Sequence, residues 1–234
     1  FGLFGRSANF LVAQPYAVGN FHGTLQTTLR ETHLSGMLDT AVRFAINLNG
    51  GKAMPAQEFV KWKQKTLIGA SIKVIIPTGQ YDPNRLVNWG VNRWAFKPEI
   101  GISHRRGDWV IDGAAGVWFF TRNKAAFTGG VPRSQKLAPI GSLEGHISYD
   151  IGKSKRLWAS LDGNFWFGGT ATLAGVTNPA TKQTSSRLGG TFSFPLNKQQ
   201  SIKTSYSNGV YGRFGGNYQN LSISWQYSWI DKPK

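Results

Sequence analysis

The chain has 234 residues, of which 16% are charged, with 29 glycines, 9 tryptophans, 15 phenylalanines and 7 tyrosines. It contains no cysteine, which excludes a disulfide framework, thiolate chemistry and thiolate metal sites. No apolar run approaches the roughly 18–20 residues of a transmembrane helix. A membrane protein of this sequence would therefore have to be a β-barrel, the other structure that satisfies all its backbone polar groups in lipid.

The net charge is +16, a value that often indicates nucleic-acid binding. Here the basic residues are dispersed among predicted turns and strands rather than clustered; Lys61, Lys63 and Lys65 share one connector. We therefore predict no nucleic-acid partner. Anionic lipid head groups, or a lumen that favours anions, fit this dispersal better.

Ten strands are predicted, because apolar and polar residues alternate with a period of two. In residues 68–76, for example, Ile72 and Val74 alternate with Ser71 and Lys73. Most segments are about 10–15 residues long, whereas soluble strands average about 5–6 residues and tilted membrane-crossing strands need about 9–11. In chain order the predicted strands are residues 4–16, 36–49, 66–78, 93–105, 108–121, 138–151, 157–169, 185–197, 200–213 and 218–230.

The alternation is clearest in the second half of the chain. In residues 140–151, Leu143 and Ile147 oppose Glu144 and His146. Because almost no helix is available to cover the apolar face, that face is expected to contact lipid while the other lines a polar lumen. The fold predicted for residues 1–234 is a single all-β domain, an antiparallel transmembrane β-barrel with ten strands in this chain.

The predicted connectors alternate in length. Short turns fall at 105–108, 152–156 and 197–200, and long loops at about 17–35, 79–92, 122–137 and 170–184. Outer-membrane barrels have this asymmetry, with short periplasmic turns and long outer loops. The exception is the long connector 50–65 on the predicted periplasmic side, where Pro55 precedes a possible short helix. That helix could lie at the membrane interface or be an ordinary surface helix.

Aromatic residues lie near the ends of the predicted strands, as in the interfacial girdles of membrane barrels, although a soluble β core would also use them. They are Trp89, Trp94, Trp109, Trp118, Phe119, Phe120, Trp158, Trp166, Trp225 and Trp229.

The period of two assigns side chains to the two faces. The residues predicted to line the lumen are Asp39, Arg43, Lys73, Arg93, Lys97, Glu99, Asp112, Glu144, His146, Asp162, Arg187 and Lys203. The residues predicted to face lipid are Ile72, Val74, Ile100, Leu143, Ile147, Leu161, Phe165, Leu221, Ile223 and Trp225. The lumen charges have both signs and are expected to pair across strands, because an unpaired buried charge costs several kcal/mol. Such a network could plug a small barrel or line a pore that selects solutes.

No catalytic, cofactor or metal site is predicted. His146 shares a face with Ser142, Glu144 and Ser148, but the sequence marks no nucleophile beside a base and an oxyanion site. The four histidines show no metal-ligand spacing. Glycine pairs such as Gly168-Gly169 and Gly215-Gly216 lack the Lys-Ser/Thr of a P-loop.

The stretches PTGQYDP at 77–83 and NWGVNRWAFKPE at 88–99 resemble the outer-membrane family named "putative MetA-pathway of phenol degradation". Further similarity lies at 116–123, 168–169, 186–189 and 225–227, so the resemblance covers nearly the whole chain in order. It implies an outer-membrane β-barrel of a Gram-negative bacterium and transfers no catalytic residue. Family members usually have about two more strands at the N-terminus, and Phe1–Arg6 resembles the end of such a strand and its turn. We therefore expect a chain that is mature or truncated at its start, with twelve strands in the intact barrel.

The resemblance implies a passive channel or transporter for small, hydrophobic or aromatic compounds, working without a cofactor. The alternative is a structural barrel with a plugged lumen, acting as a scaffold or anchor at the cell surface. A soluble β-barrel binding protein is a third, weaker reading of the alternation. The expected partners are outer-membrane lipid, lipopolysaccharide and a small solute, and the long loops could also contact a surface protein or a second copy.

Overall fold

The computed structural model describes residues 1–25, 28–152, 156–214 and 218–229. Ten strands of 8 to 13 residues form the body of the molecule. They are β2 (Arg6–Ala13), β5 (Thr40–Asn49), β6 (Thr66–Ile76), β7 (Ala95–Arg106), β8 (Trp109–Phe120), β11 (Ile140–Ile151), β12 (Leu157–Gly168), β15 (Gln183–Pro195), β16 (Gln200–Gly212) and β17 (Gln219–Tyr227).

The remaining elements lie at the start of the chain and in the connectors. They are β1 (Gly2–Leu3), β3 (Tyr16–Leu25), β4 (Thr28–Met37), α1 (Ala56–Lys61), β9 (Asn123–Ala126), β10 (Arg133–Leu137), β13 (Ala171–Leu173), β14 (Val176–Asn178) and a 3₁₀ helix (Pro179–Thr181). Helix α1 lies inside the 50–65 connector. Within the described residues, no helix is long and apolar enough to cross a membrane.

The main sheet has eleven strands in the order β1-β2-β5-β6-β7-β8-β11-β12-β15-β16-β17. Each pair of neighbours is antiparallel. Each of the ten predicted strands overlaps one long strand of this sheet. Consecutive long strands are also neighbours, so their connectors fall alternately at two ends of the sheet. We call these the long-connector end, with 14–39, 77–94, 121–139 and 169–182, and the short-connector end.

Two parts of the predicted fold are corrected. The chain forms 17 strands and not ten, because β1 at the start of the chain and six strands in the connectors, β3, β4, β9, β10, β13 and β14, add to the ten long ones. The main sheet is also not a closed barrel: β1 and β17 end the strand order, and no pairing joins them in the described part of the chain. The predicted turn residues 153–155, the pair Gly215-Gly216 and the last residue of the strand 218–230 lie outside the described residues.

Period-two alternation does not predict the connector strands, for a physical reason. The β3–β4 hairpin forms a separate two-stranded sheet, and β9, β10, β13 and β14 form a four-stranded sheet at the long-connector end. These small sheets have no continuous apolar face to bury, so their sequences lack the period-two apolar pattern. Glycine, asparagine and threonine in these stretches resemble turn sequences.

The connector 77–94 is the centre of the long-connector end. The Tyr81 hydroxyl donates to the carbonyl of Ala125 (2.7 Å) and accepts from the Asn123 side chain (3.0 Å). Asn123 is only 3% exposed, and its side-chain oxygen accepts from Asn92 (2.9 Å). On the other side, Trp89 packs against Phe21 of the β3–β4 hairpin at 5.5 Å between ring centroids. This connector therefore ties together the connectors on either side of it.

Asp39 anchors the same connector from the turn before β5. Its two carboxylate oxygens accept from the backbone amides of Gly79 (2.8 Å) and Val91 (2.9 Å). This arrangement brings Gly90 against Gly79: a Cβ on Gly90 would lie 2.8 Å from the carbonyl carbon and oxygen of Gly79. The glycines of the 77–99 motif thus allow two backbone segments to approach more closely than any other residue permits.

Burial is inverted relative to a soluble domain. Among the described residues, the buried hydrophobic ones are three alanines, Ala8, Ala95 and Ala126, whereas the buried polar ones include Lys97, Asn123 and Asp150. The accessible surface is 15747 Å². A compact soluble monomer of 25.8 kDa would expose about 10,500 Å². Among the residues that the structure describes, the sheet therefore has no hydrophobic core on either side.

We expect Gly90→Ala to loosen the connector 77–94, because the added Cβ overlaps backbone atoms that cannot move aside. Overpacking of this kind costs about 1–3 kcal/mol. Gly130→Ala is the matched control, since nothing lies within 4 Å of the Cβ it adds. Thermal unfolding and protease cleavage within 77–94 measure the effect. Equal melting temperatures and cleavage rates for the two variants would show that the close approach is unimportant.

Candidate functional site

One face of the main sheet collects the charged side chains. Cross-strand register places Asp112, His146 and Asp162 directly opposite one another on β8, β11 and β12. The same register puts ten of the twelve predicted lumen residues on this polar face. The two exceptions, Asp39 and Arg93, lie in connectors just before β5 and β7, because those strands begin at Thr40 and Ala95, later than predicted.

The predicted lipid-facing residues all lie on the opposite, apolar face. Ile147, for example, pairs with Ile111 on β8 and Leu161 on β12. Nine of the ten are exposed and Val74 is half-buried. Exposure reaches 61% at Leu161 and 72% at Ile223, so this face is uncovered over its whole width.

Lys97 is the centre of an ion cluster on the polar face. Its ammonium contacts Glu99 on the same strand (2.6 Å) and Glu144 two strands away on β11. The Lys97 side chain is 6% exposed, and Arg43 approaches Glu99 at 3.8 Å. The strand in between, β8, carries Gly116 at this point; a Cβ there would lie 3.0 Å from Lys97 Cε and 2.9 Å from the Pro98 carbonyl. The glycine therefore lets Lys97 cross β8 and reach Glu144.

A second cluster centres on Asp162. Its carboxylate contacts His146 Nδ1 (2.8 Å) and accepts from the hydroxyls of Ser160 (2.8 Å) and Thr191 (2.7 Å). Two cavities of about 330 and 390 Å³ meet here, because Asp112 and His146 line both. Toward the short-connector end, Arg105 contacts Asp150 at 2.5 Å, again across β8. The paired charges thus lie at three places along the polar face: around Lys97, around Asp162 and at Arg105.

Aromatic side chains also occupy the polar face. Trp118, Trp158 and Trp166 share the register of Asp112 and Asp162, which differs from their predicted place in an outer girdle. Lys73 and Lys97 lie over the Trp118 ring at 5.8 and 5.7 Å, and Lys203 lies over Trp158 at 5.3 Å. These contacts are of the cation–π kind.

A third cavity of about 480 Å³ opens at the long-connector end of the polar face, and sequence reasoning missed it. We call it the aromatic vestibule. Its lining includes the side chains of Trp118, Phe120, Trp166, Arg187, Tyr211 and Tyr218. The period of two does indicate these tryptophans, because residues an even number apart on a strand share a face. Trp118 lies six residues from Asp112 on β8, and Trp166 lies four residues from Asp162 on β12.

Two arginines have buried guanidinium nitrogens without a partner in the described part of the chain. Arg93 donates from Nη2 to Gln135 (2.6 Å), while its Nη1 is buried and unpaired. Burial lowers the pKa of Arg93 below its ordinary value, and the nearby Tyr81 acts in the opposite direction. Arg187, on β15, has an unpaired buried Nε.

His146 and Ser142, which the sequence places on one face, both have partners within the protein. Asp162 occupies His146 Nδ1, and the Ser142 hydroxyl donates to the Gly116 carbonyl (3.4 Å). Within residues 1–25, 28–152, 156–214 and 218–229, no three His, Cys, Asp or Glu side chains are grouped to hold a metal ion.

We expect Lys97→Gln to destabilise the protein strongly, because Glu99 and Glu144 would lose the cation between them. Removing one partner of a buried ion pair costs about 3–5 kcal/mol. Lys136→Gln is the control, since Lys136 is exposed on β10 and such surface changes stay within about 0.5 kcal/mol. Urea unfolding of both variants provides the comparison. A loss below about 1 kcal/mol for Lys97→Gln would mean that the cluster is hydrated and its charges screened.

Comparison with known proteins bears on the whole chain. Among solved structures, the fold is similar to that of an outer membrane channel from Pseudomonas putida F1, with a TM-score of 0.69. The match covers 94% of this chain and 82% of the channel at 12% sequence identity, a level at which the fold alone is shared. The comparison with curated protein sequences gave no match. The family model described as "Putative MetA-pathway of phenol degradation" matches residues 2–224, and the chain belongs to this family.

Proposed function

We propose that the protein is a passive outer-membrane channel for small solutes. The observation that carries the proposal is the inverted burial: charged residues share one face of the sheet, and large apolar residues lie exposed on the other. In water, exposed apolar area of this extent marks a surface that meets another apolar phase. The length of the strands and the shared fold with an outer membrane channel support lipid as that phase.

Closure of the sheet into a barrel is part of the proposal. Within the described residues β17 pairs only with β16 and ends the strand order, so its outer edge carries unpaired backbone groups. In hydrocarbon each unsatisfied group would cost several kcal/mol, and closure removes the edge. At the other end of the sheet, Leu3 of β1 already pairs with Arg6 of β2 through a turn at Phe4–Gly5. The proposed total of twelve strands rests on the family resemblance.

Solute would pass along the polar face. The three cavities there, of about 330, 390 and 480 Å³, lie within one curved sheet, because the vestibule alone is lined from β6 to β16. Passage needs no cofactor and no conformational work beyond side-chain movement. The aromatic side chains at the long-connector end favour small hydrophobic or aromatic molecules over large polar ones.

The alternative is a structural barrel with a plugged lumen. The contact of Lys97 with Glu144 across the intervening strand β8 favours it, since paired side chains fill space inside the barrel. The protein is a channel if a continuous path for solute remains beside the Lys97 cluster, and a plugged barrel if the cluster blocks that path. The basic residues Arg85, Lys124 and Lys136 at the long-connector end fit phosphate groups of lipopolysaccharide in either case.

Conductance of the purified protein in planar bilayers tests the channel. We expect discrete current steps that fall sharply in Ser205→Trp, because Ser205 lines the cavity shared with His146 and a tryptophan there fills it. Thr204→Trp is the matched control: the neighbouring residue lies on the opposite face. Folded protein that inserts but leaves the bilayer sealed would overturn the channel and favour the plugged barrel.

A second test addresses the apolar face. Ile147→Arg should cost about 2–4 kcal/mol of folding free energy in lipid vesicles, because arginine at the middle of the bilayer is costly. Ser148→Arg places the same side chain on the polar face and should cost much less. If the apolar face met water instead, both variants would fold equally well, since exposed surface substitutions stay within about 0.5 kcal/mol.

A further inference from the structure

The aromatic vestibule has the size of a small-molecule site. Its volume of about 480 Å³ lies within the about 300–1,000 Å³ typical of ligand pockets. Rings from three strands and a connector line it: Trp118 and Phe120 on β8, Trp166 on β12, Tyr211 on β16, and Tyr218 before β17. Aromatic walls give a planar ligand large contact area and favourable ring–ring geometry.

The two charged side chains in the vestibule lining differ in whether they are available to a ligand. Asp39 is the carboxylate in its lining, and the backbone amides of Gly79 and Val91 already occupy both of its oxygens. Arg187 is the cation in the same lining. The vestibule therefore presents positive charge to a ligand, while its negative charge is committed to holding the connector 77–94.

Arg187 is held in place but keeps a free donor. Its guanidinium lies over the Tyr218 ring at 3.8 Å, and Nη2 donates to the Tyr218 carbonyl. Nε is buried and has no hydrogen-bond partner among the described residues. The register shift between Ser186 and Arg187 against β16 falls at the same point. A stacked guanidinium loses little freedom on binding and suits a planar oxyanion such as a carboxylate.

We propose that the vestibule binds small aromatic carboxylates, with the ring between aromatic side chains and the carboxylate on Arg187. The inference rests on the proposed function in one respect: it assigns the substrate class to the mouth of the same channel. An aromatic amine would bring a cation to Arg187, and a neutral arene would leave the buried Nε unpaired. Burying an unpaired donor is costly, so the site should discriminate against both.

Titration of the purified protein in detergent tests the site with benzoate as the probe. We expect saturable binding, followed by calorimetry and by tryptophan fluorescence, with benzylamine binding at least about tenfold more weakly. Cyclohexanecarboxylate, which carries the same charge without an aromatic ring, should also bind more weakly.

Arg187→Gln should weaken benzoate binding at least about tenfold, because it removes a charge-assisted contact. Arg122→Gln is the matched control: Arg122 is exposed in the connector after β8 and does not line the vestibule. Circular dichroism checks that both variants keep their strand content. Equal affinity in Arg187→Gln, or no saturable benzoate binding by the wild-type protein, would overturn the proposal.

The two experiments distinguish failure of the aromatic carboxylate site from failure of the proposed channel. Current steps without benzoate binding would leave the channel standing and remove the aromatic carboxylate site. Benzoate binding that depends on Arg187, in a protein that leaves bilayers sealed, would keep the site and remove the channel.

Discussion

The structure depends on an unusual division of its side chains, in which polar groups are enclosed and apolar groups are exposed. A soluble domain gains most of its stability from apolar area removed from water. Here the buried hydrophobic residues of the described chain are alanines, so that contribution is small within the protein itself. What remains is the continuous backbone ladder of the main sheet and the hydrogen-bonded charges on its polar face. Such a chain needs an apolar surrounding phase to favour the folded state.

Glycines make the polar face possible. Lys97 reaches Glu144 only because Gly116 leaves room over the intervening strand, and the hydrogen bonds of Asp39 require the close contact of Gly79 and Gly90. The first arrangement joins β7 and β11, which are not neighbours in the sheet, and the second joins the residue before β5 to the connector after β6. A buried ion pair contributes little net stability compared with apolar packing, but its loss is expensive. The clusters therefore fix which side chains face one another more than they strengthen the fold.

A period of two was sufficient to locate the ten long strands and to separate their two faces. Ile147 and His146 are adjacent in the sequence and lie on opposite faces, as alternation requires. The strands in the connectors were harder to predict. β9 and β13, for example, are short and pair with another connector strand, so they have no continuous apolar face. Strand starts were also placed too early: Asp39 and Arg93 were assigned to strands, but both precede the first ladder residue. The aromatic vestibule is not predicted, because tryptophans near strand ends resemble an interfacial girdle, although the parity of Trp118 and Trp166 places them with the charges.

The four-stranded sheet at the long-connector end is built from two different connectors. Residues 123–137 supply β9 and β10, residues 171–178 supply β13 and β14, and Lys136 pairs with Thr172 across the junction. Backbone hydrogen bonds thus join two loops that close different hairpins of the main sheet. Any molecule that recognises this surface contacts two stretches of chain far apart in sequence. A synthetic peptide copied from either loop would reproduce only half of that epitope.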